Sequence, residues 1–185
     1  MTDPESRRAA RIATLIAIPA ALLAGVLALW LAGGFGGPGN PPKPKPRPTP
    51  TAPVSMAARD LSTHAAEVCR ALLSDLPDSV RDLPRRPVTA GAEQNAAYGE
   101  PPVRLTCGVP EPKFAATATV YPLSGVCWLP RKADDGTVWT TVDREVPVAV
   151  TVPGPRAESG QWAAAFSRYV KKTPVAKDVP SGCRG

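Results

Sequence analysis

The chain has 185 residues, 24 of them proline, with four cysteines, a single histidine and a formal charge of +6. That charge does not lie on the folded part: six basic and two acidic residues precede Met56, and 16 basic and 14 acidic residues follow from there on. The near balance, without a basic stripe or an aromatic ladder, excludes nucleic acid as the expected partner.

Residues 1–11 form a short basic tail with Arg7, Arg8 and Arg11. Residues 12–32 (IATLIAIPAALLAGVLALWLA) contain no charge. As a helix they would span roughly 31 Å, about the hydrocarbon thickness of a bilayer. Pro19 lies near the start of this run, where a kink is tolerated, and Trp30 lies near its end, at headgroup depth. The arginines on the N-terminal side predict a cytoplasmic N-terminus, with everything after the span outside. A cleaved signal peptide would have a shorter apolar region ending in a small-x-small site, which is absent. The expectation is a single-pass anchor in the cell membrane, with the lipid bilayer as the partner of residues 12–32.

Residues 33–55 are rich in glycine and proline, and PPKPKPRPTPTAP (41–53) alternates proline with Lys43, Lys45 and Arg47. This pattern favours polyproline II, and the 18 residues from Gly37 to Val54 would reach at most roughly 55 Å. The segment is expected to be a disordered spacer that lifts residues 56–185 clear of the membrane as an extracytoplasmic domain.

Within that domain, Leu61, Ala65, Val68, Leu72, Leu73 and Leu76 recur at helical spacing, predicting a helix over about 57–75 that Pro77 ends. A proline-rich connection without a clear period follows (LPDSVRDLPRRPV). Strand character then appears at Val103 to Cys107, Phe114 to Tyr121, Val126 to Leu129, Val138 to Val142 and Val146 to Val152. In the last run four valines share one face. Asp134-Asp135-Gly136 signals a hairpin. A turn closing around 134–136 puts Trp128 on the core face with Val126, Val138 and Val142. It leaves Trp139 opposite, near Arg131, open to a cation–π contact and to a sugar or protein partner; burial under a loop is the competing reading. Trp162, Phe166, Tyr169 and Val170 form a final helical stripe, with Ser159 placed to cap it and Thr173-Pro174 to stop it. The fold class expected is α+β, an antiparallel sheet covered by two helices.

Four cysteines outside the membrane, none in a C-x-x-C pair, imply two disulfides with three connectivities open. One histidine, His64, makes no zinc constellation, so neither a metal nor a cofactor is expected. G-x-S-x-G and S-x-x-K are absent. Asp134 and Asp135 fit turn chemistry, and Glu100, held in Gly99-Glu100-Pro101-Pro102, is a lone carboxylate. No catalytic set can be assembled, and an enzyme is not the favoured reading.

The motifs Cys69-Arg-Ala-Leu-Leu-Ser-Asp-Leu-Pro77, Arg85-Arg86, Tyr98-Gly-Glu-Pro-Pro-Val-Arg-Leu-Thr-Cys-Gly108, Gly125-Val-Cys-Trp128 and Thr140-Thr-Val-Asp-Arg144 occur in that order. Together with Val148 to Pro153 they resemble an uncharacterised family, a domain of unknown function, of membrane-anchored or secreted proteins from high-GC Gram-positive bacteria. The resemblance spans roughly residues 66–172. It implies an extracytoplasmic domain and supplies no activity. It also implies that Cys69 and Cys107 are partners, which leaves Cys127 and Cys183 as an added pair. Tyr98, Thr106 and Cys127 stand where family members have Trp, Arg, and Asp or Gly.

The function expected is a non-catalytic binding or interaction module of the cell envelope. Its partner would be a cell-wall polymer or another envelope protein, met through Trp139, Arg131, Tyr98, Glu100 and Arg144. The alternative is a cell-wall or lipid-precursor enzyme with a site near Glu100 and Arg144.

Overall fold

The computed structural model describes residues 22–28, 51–115 and 117–183. The chain divides into two compact units, Met1–Arg47 and Pro48–Gly185. In the first, residues 22–28 are helical (α1), with Leu22, Leu23, Val26 and Leu27 all exposed. Among the described residues no helix is long and apolar enough to cross a membrane. Residues 12–21 and 29–32 of the expected anchor, and 33–50 of the expected spacer, lie outside the described residues.

The second unit is an α+β domain with one eight-stranded antiparallel sheet. Helix α2 (Thr63–Asp75) is followed by β1 (Ser79–Val80), β2 (Leu83–Arg86), β3 (Asn95–Tyr98) and β4 (Val103–Cys107). Then come β5 (Tyr121–Leu123), β6 (Val126–Ala133), β7 (Gly136–Thr141), β8 (Val148–Val152) and α3 (Arg156–Val170), with a short 3₁₀ turn at Ser181–Cys183. The spatial order is β1-β2-β3-β4-β8-β7-β6-β5. Two four-stranded meanders therefore meet at their last strands, with Leu105 opposite Val150 and Cys107 opposite Val148.

The connection from β4 to β5 must travel from the middle of the sheet to its far edge, past β8, β7 and β6. That crossing explains why the strand expected at Phe114 to Tyr121 does not form. Residues 108–115 and 117–120 contain no strand, and β5 begins only at Tyr121. Arg131, exposed on β6, donates to the carbonyl of Lys113 in this crossing segment.

Helix α2 starts at Thr63, later than the spacing suggested. Ser62 is its cap, Oγ accepting from the Ala65 N–H at 3.2 Å. The residues before it form an extended arm instead. Val54, assigned to the spacer by composition, is buried and forms a bridge with Val88. Ser159 is likewise not a cap, because α3 begins three residues earlier with Pro155 as its N-cap.

Ser159 has another task. Ser159, Ala163 and Ser167 recur every four residues on the buried side of α3. The Trp139 indole N–H donates to Ser159 Oγ at 2.8 Å, and the Trp128 indole N–H to Ser167 Oγ at 2.9 Å. Both hydroxyls donate in turn to α3 carbonyls, so two large aromatics are buried with their polar atoms satisfied. Gly160 lies under the Trp139 ring, where an added Cβ would sit 3.3 Å from it. With Val148, Val150, Tyr98, Leu105, Phe166 and Leu72 these residues make one core between the sheet and the two helices. Each buried valine contributes about 1.5–3 kcal/mol of transfer free energy.

Trp139 on the solvent face is thus corrected by one residue of register. The hairpin turn is Asp134-Asp135, with Ala133 opposite Gly136, tighter than a turn over 134–136. Trp128 then pairs with Thr141 and Trp139 with Pro130, so both indoles point to the helices while Val138 and Arg131 share the other face. Gly136 permits this closure: at φ +147 its missing Cβ leaves room for the Val152 carbonyl, which would stand 2.0 Å away.

Candidate functional site

The described surface carries a groove of about 600 Å³ where α2 meets the end of α3. Its floor is apolar, made by Val68, Ala71, Leu72, Tyr169 and Pro174. The stripe on α2 that packs against the core at Cys69, Leu72 and Leu73 widens here beyond what α3 covers. At the rim, His64 Nε2 lies 3.2 Å from Glu145 Oε2, and Lys172 Nζ lies 2.8 Å from Asp75 Oδ2. Both pairs are exposed, so they contribute little to stability and remain available for exchange with a partner. Glu67 faces the groove between them. The hydroxyls nearby are committed to backbone: Ser74 donates to Ala71 O at 2.8 Å and Thr173 to Val170 O at 2.7 Å. Apolar floor, exposed charges and engaged hydroxyls suit contact with a partner better than chemistry upon one.

The five residues expected to meet a ligand are dispersed. Tyr98 is buried under Phe166, its ring centroid 5.6 Å away, and its hydroxyl donates to Pro77 O at 3.0 Å. Burial pushes its pKa up to about 12, with the nearby Arg85 charge opposing the shift. Trp139 is buried against α3, and Arg131 on the other face holds the crossing segment. Tyr98, Trp139 and Arg144 are therefore interior residues, which corrects their expected place on a contact surface.

Glu100 is exposed and pairs with Arg86, which also donates to Gly99 O at 3.1 Å and to Ala52 O at 2.8 Å. Arg144 is buried with Asp143, and its five N–H groups are all spoken for. Nε meets Asp143 Oδ1 at 3.3 Å, and Nη1 meets Lys171 O at 3.3 Å and Thr173 O at 3.2 Å. Nη2 meets Gly125 O at 2.9 Å and Asp143 Oδ2 at 3.2 Å. No donor is left for a ligand. The register separates the two residues further. Glu100 precedes the start of β4, which lies beside the end of β8, whereas Arg144 precedes the start of β8. The ends of the β4–β8 pair that they flank are four strand steps, roughly 13 Å, apart. A site gathering Glu100 and Arg144 is not formed.

The disulfides are Cys69–Cys107 and Cys127–Cys183, with Cα separations of 5.5 and 5.7 Å. Among the described residues there is no free cysteine, and no group of three or more His, Cys, Asp or Glu side chains that could hold a metal ion.

A family model described as protein of unknown function (DUF3515) matches residues 17–179. The chain belongs to this family. The DUF3515 match begins inside the apolar N-terminal run and continues through the proline-rich segment to the tail after α3, so it takes in the groove, both buried tryptophans and three of the four cysteines. No curated protein and no solved structure matches the chain. The family description assigns no activity, and the groove is defined by packing alone. In the sequence, Val68, Leu72 and Tyr169 carry the same helical spacing as the core residues beside them, and nothing there separates a wall from an interior.

Proposed function

We propose that this member of DUF3515 is an extracytoplasmic module of the cell envelope, tethered by residues 12–32, that binds a partner through the groove between α2 and α3. The observation that carries the reading is the pair of closed disulfides with no free cysteine beside them among the described residues. Such bonds persist in oxidising compartments and are rare in the cytosol. The apolar run flanked by Arg7, Arg8 and Arg11 supports the same side of the membrane for everything that follows it. The exposed Leu22, Leu23, Val26 and Leu27 of α1 are side chains suited to lipid and support the tether, without bearing on its orientation. Binding rather than catalysis is supported by the apolar floor of the groove and by the commitment of Ser74, Thr173 and Arg144 to internal bonds.

Two steps test this. Protease added to intact cells should remove the region after residue 37 and leave a membrane-bound stub; a mature protein starting near residue 33 in the medium would overturn the tether. Ala71→Arg, at an exposed position of the groove floor, should then abolish co-purification of a partner from intact membranes without changing the fold. Identical partners for the wild type and the folded variant would overturn the groove.

A further inference from the structure

We propose that Cys127–Cys183 is a reducible latch on the C-terminal tail, distinct from Cys69–Cys107, which is a permanent staple. The two cystines occupy opposite environments. Cys69 and Cys107 are both 0% exposed and sit within the core between α2 and β4, so a reductant reaches them only when the domain opens. Cys127 is buried on β6, but Cys183 is partly exposed in the 3₁₀ turn at the end of the described tail. Cys183 lies outside the sheet, so an attack from its side of the bond leaves the strands in place.

The tail is held in two stages. Near its start, Glu145 N–H donates to Pro174 O and Ala176 N–H to Asp143 O, each at 3.0 Å, while Arg144 grips the carbonyls of Lys171 and Thr173. Beyond Ala176 the tail forms one wall of a groove of about 460 Å³, with Lys177, Val179 and Cys183 facing Gly125, Asp143 and Arg144, and the cystine is its covalent hold at the far end. Opening the bond leaves the first stage and the core intact and removes the covalent hold on the last turn, whose remaining contacts are with the β5 edge. The buried Cys127 and the Asp143–Arg144 pair then become accessible from that side.

The exchange requires a dithiol, either a small molecule or a protein with paired cysteines. One thiolate of the dithiol attacks Cys183 Sγ, forming a mixed disulfide and expelling Cys127 as a thiolate that takes a proton from water. The second thiol of the reductant then displaces Cys183. The protein is left with two thiols, Cys127 and Cys183, and is two electrons richer, and the reductant leaves as a disulfide. Oxidation of the pair closes the latch again. This device is independent of what the α2–α3 groove binds.

The test uses the full-length protein in detergent under native conditions. Dithiothreitol is added in steps, free thiols are alkylated with a light reagent, and the protein is then unfolded, fully reduced and alkylated with a heavy one. Cys127 and Cys183 should carry the light label on the order of a hundredfold sooner than Cys69 and Cys107, since the latter pair waits for opening of the core. Equal rates, or earlier labelling of Cys69 and Cys107, would overturn the assignment. Trypsin cleavage after Lys177 should accelerate once the latch is open, and an unchanged rate would overturn release of the tail. The doubly substituted chain Cys127→Ser, Cys183→Ser should keep the near-ultraviolet signal of Trp128 and Trp139; its loss would mean that the bond is a staple after all.

Discussion

The two ends of the domain are tied to the sheet by different means. The N-terminal arm is held by many small bonds in series. Val54 N–H donates to Pro87 O at 2.8 Å, and Met56 N–H to Thr89 Oγ1 at 3.0 Å. Gln94 pairs reciprocally with the backbone of Arg59, both bonds at 3.0 Å, and Asn95 donates to Ala57 O. Apart from Arg86, these partners are neutral. The C-terminal end is gathered at one point instead, where Asp143 and Arg144 connect β6, the β5–β6 turn, the end of α3 and the tail. A series of bonds loses one member at modest cost, whereas a hub fails as a whole. The difference also bears on function, because residues 172–174, beside the hub, form one wall of the groove.

The largest effect is therefore expected at the hub. Asp143→Ala leaves a buried guanidinium without its counter-charge and the Cys127 N–H without an acceptor, which should cost about 3–5 kcal/mol. Urea unfolding followed by tryptophan fluorescence measures it; a loss below about 1 kcal/mol would equate the hub with an ordinary surface pair. Replacing Cys69 and Cys107 together by Ala opens a link across 38 residues and should cost about 3–4 kcal/mol in the same assay. On the arm, Gln94→Ala removes two bonds from a buried side chain to the Arg59 backbone and should cost about 1–2 kcal/mol. Smallest of all, Glu100→Gln leaves the buried Arg86 an amide acceptor as well as Gly99 O and Ala52 O, so losing the charge of a carboxylate that is 55% exposed should cost less than about 1 kcal/mol. A larger loss for Glu100→Gln than for Asp143→Ala would reverse the comparison.

The same contrast divides what could be read in the sequence. Strands β4, β6, β7 and β8 announce themselves because alternate side chains meet the core, as the valines at 146, 148, 150 and 152 do. β1 and β2 do not. Their turn is Arg81-Asp82, both at positive φ (48° and 68°), without the Asn-Gly or Asp-Gly signature of such a turn. β3 is buried at all four residues, because the arm covers the face that the helices do not, so its period vanishes. The hub left no mark for a related reason. Three of its acceptors are the carbonyls of Gly125, Lys171 and Thr173, which any residue supplies. Trp139 shows the narrowest margin, since a single residue of hairpin register decided between surface and core.

Amide hydrogen exchange on the oxidised full-length protein tests most directly whether one end is a hub and the other a series. The amides of Cys127, Glu145 and Ala176 depend on the same cluster and should exchange with one common opening free energy, rising or falling together across pH and denaturant. Those of Val54, Met56 and Arg59 should exchange at graded rates, each reporting its own bond. Independent rates for Cys127, Glu145 and Ala176, or a single shared opening for Val54, Met56 and Arg59, would contradict the account.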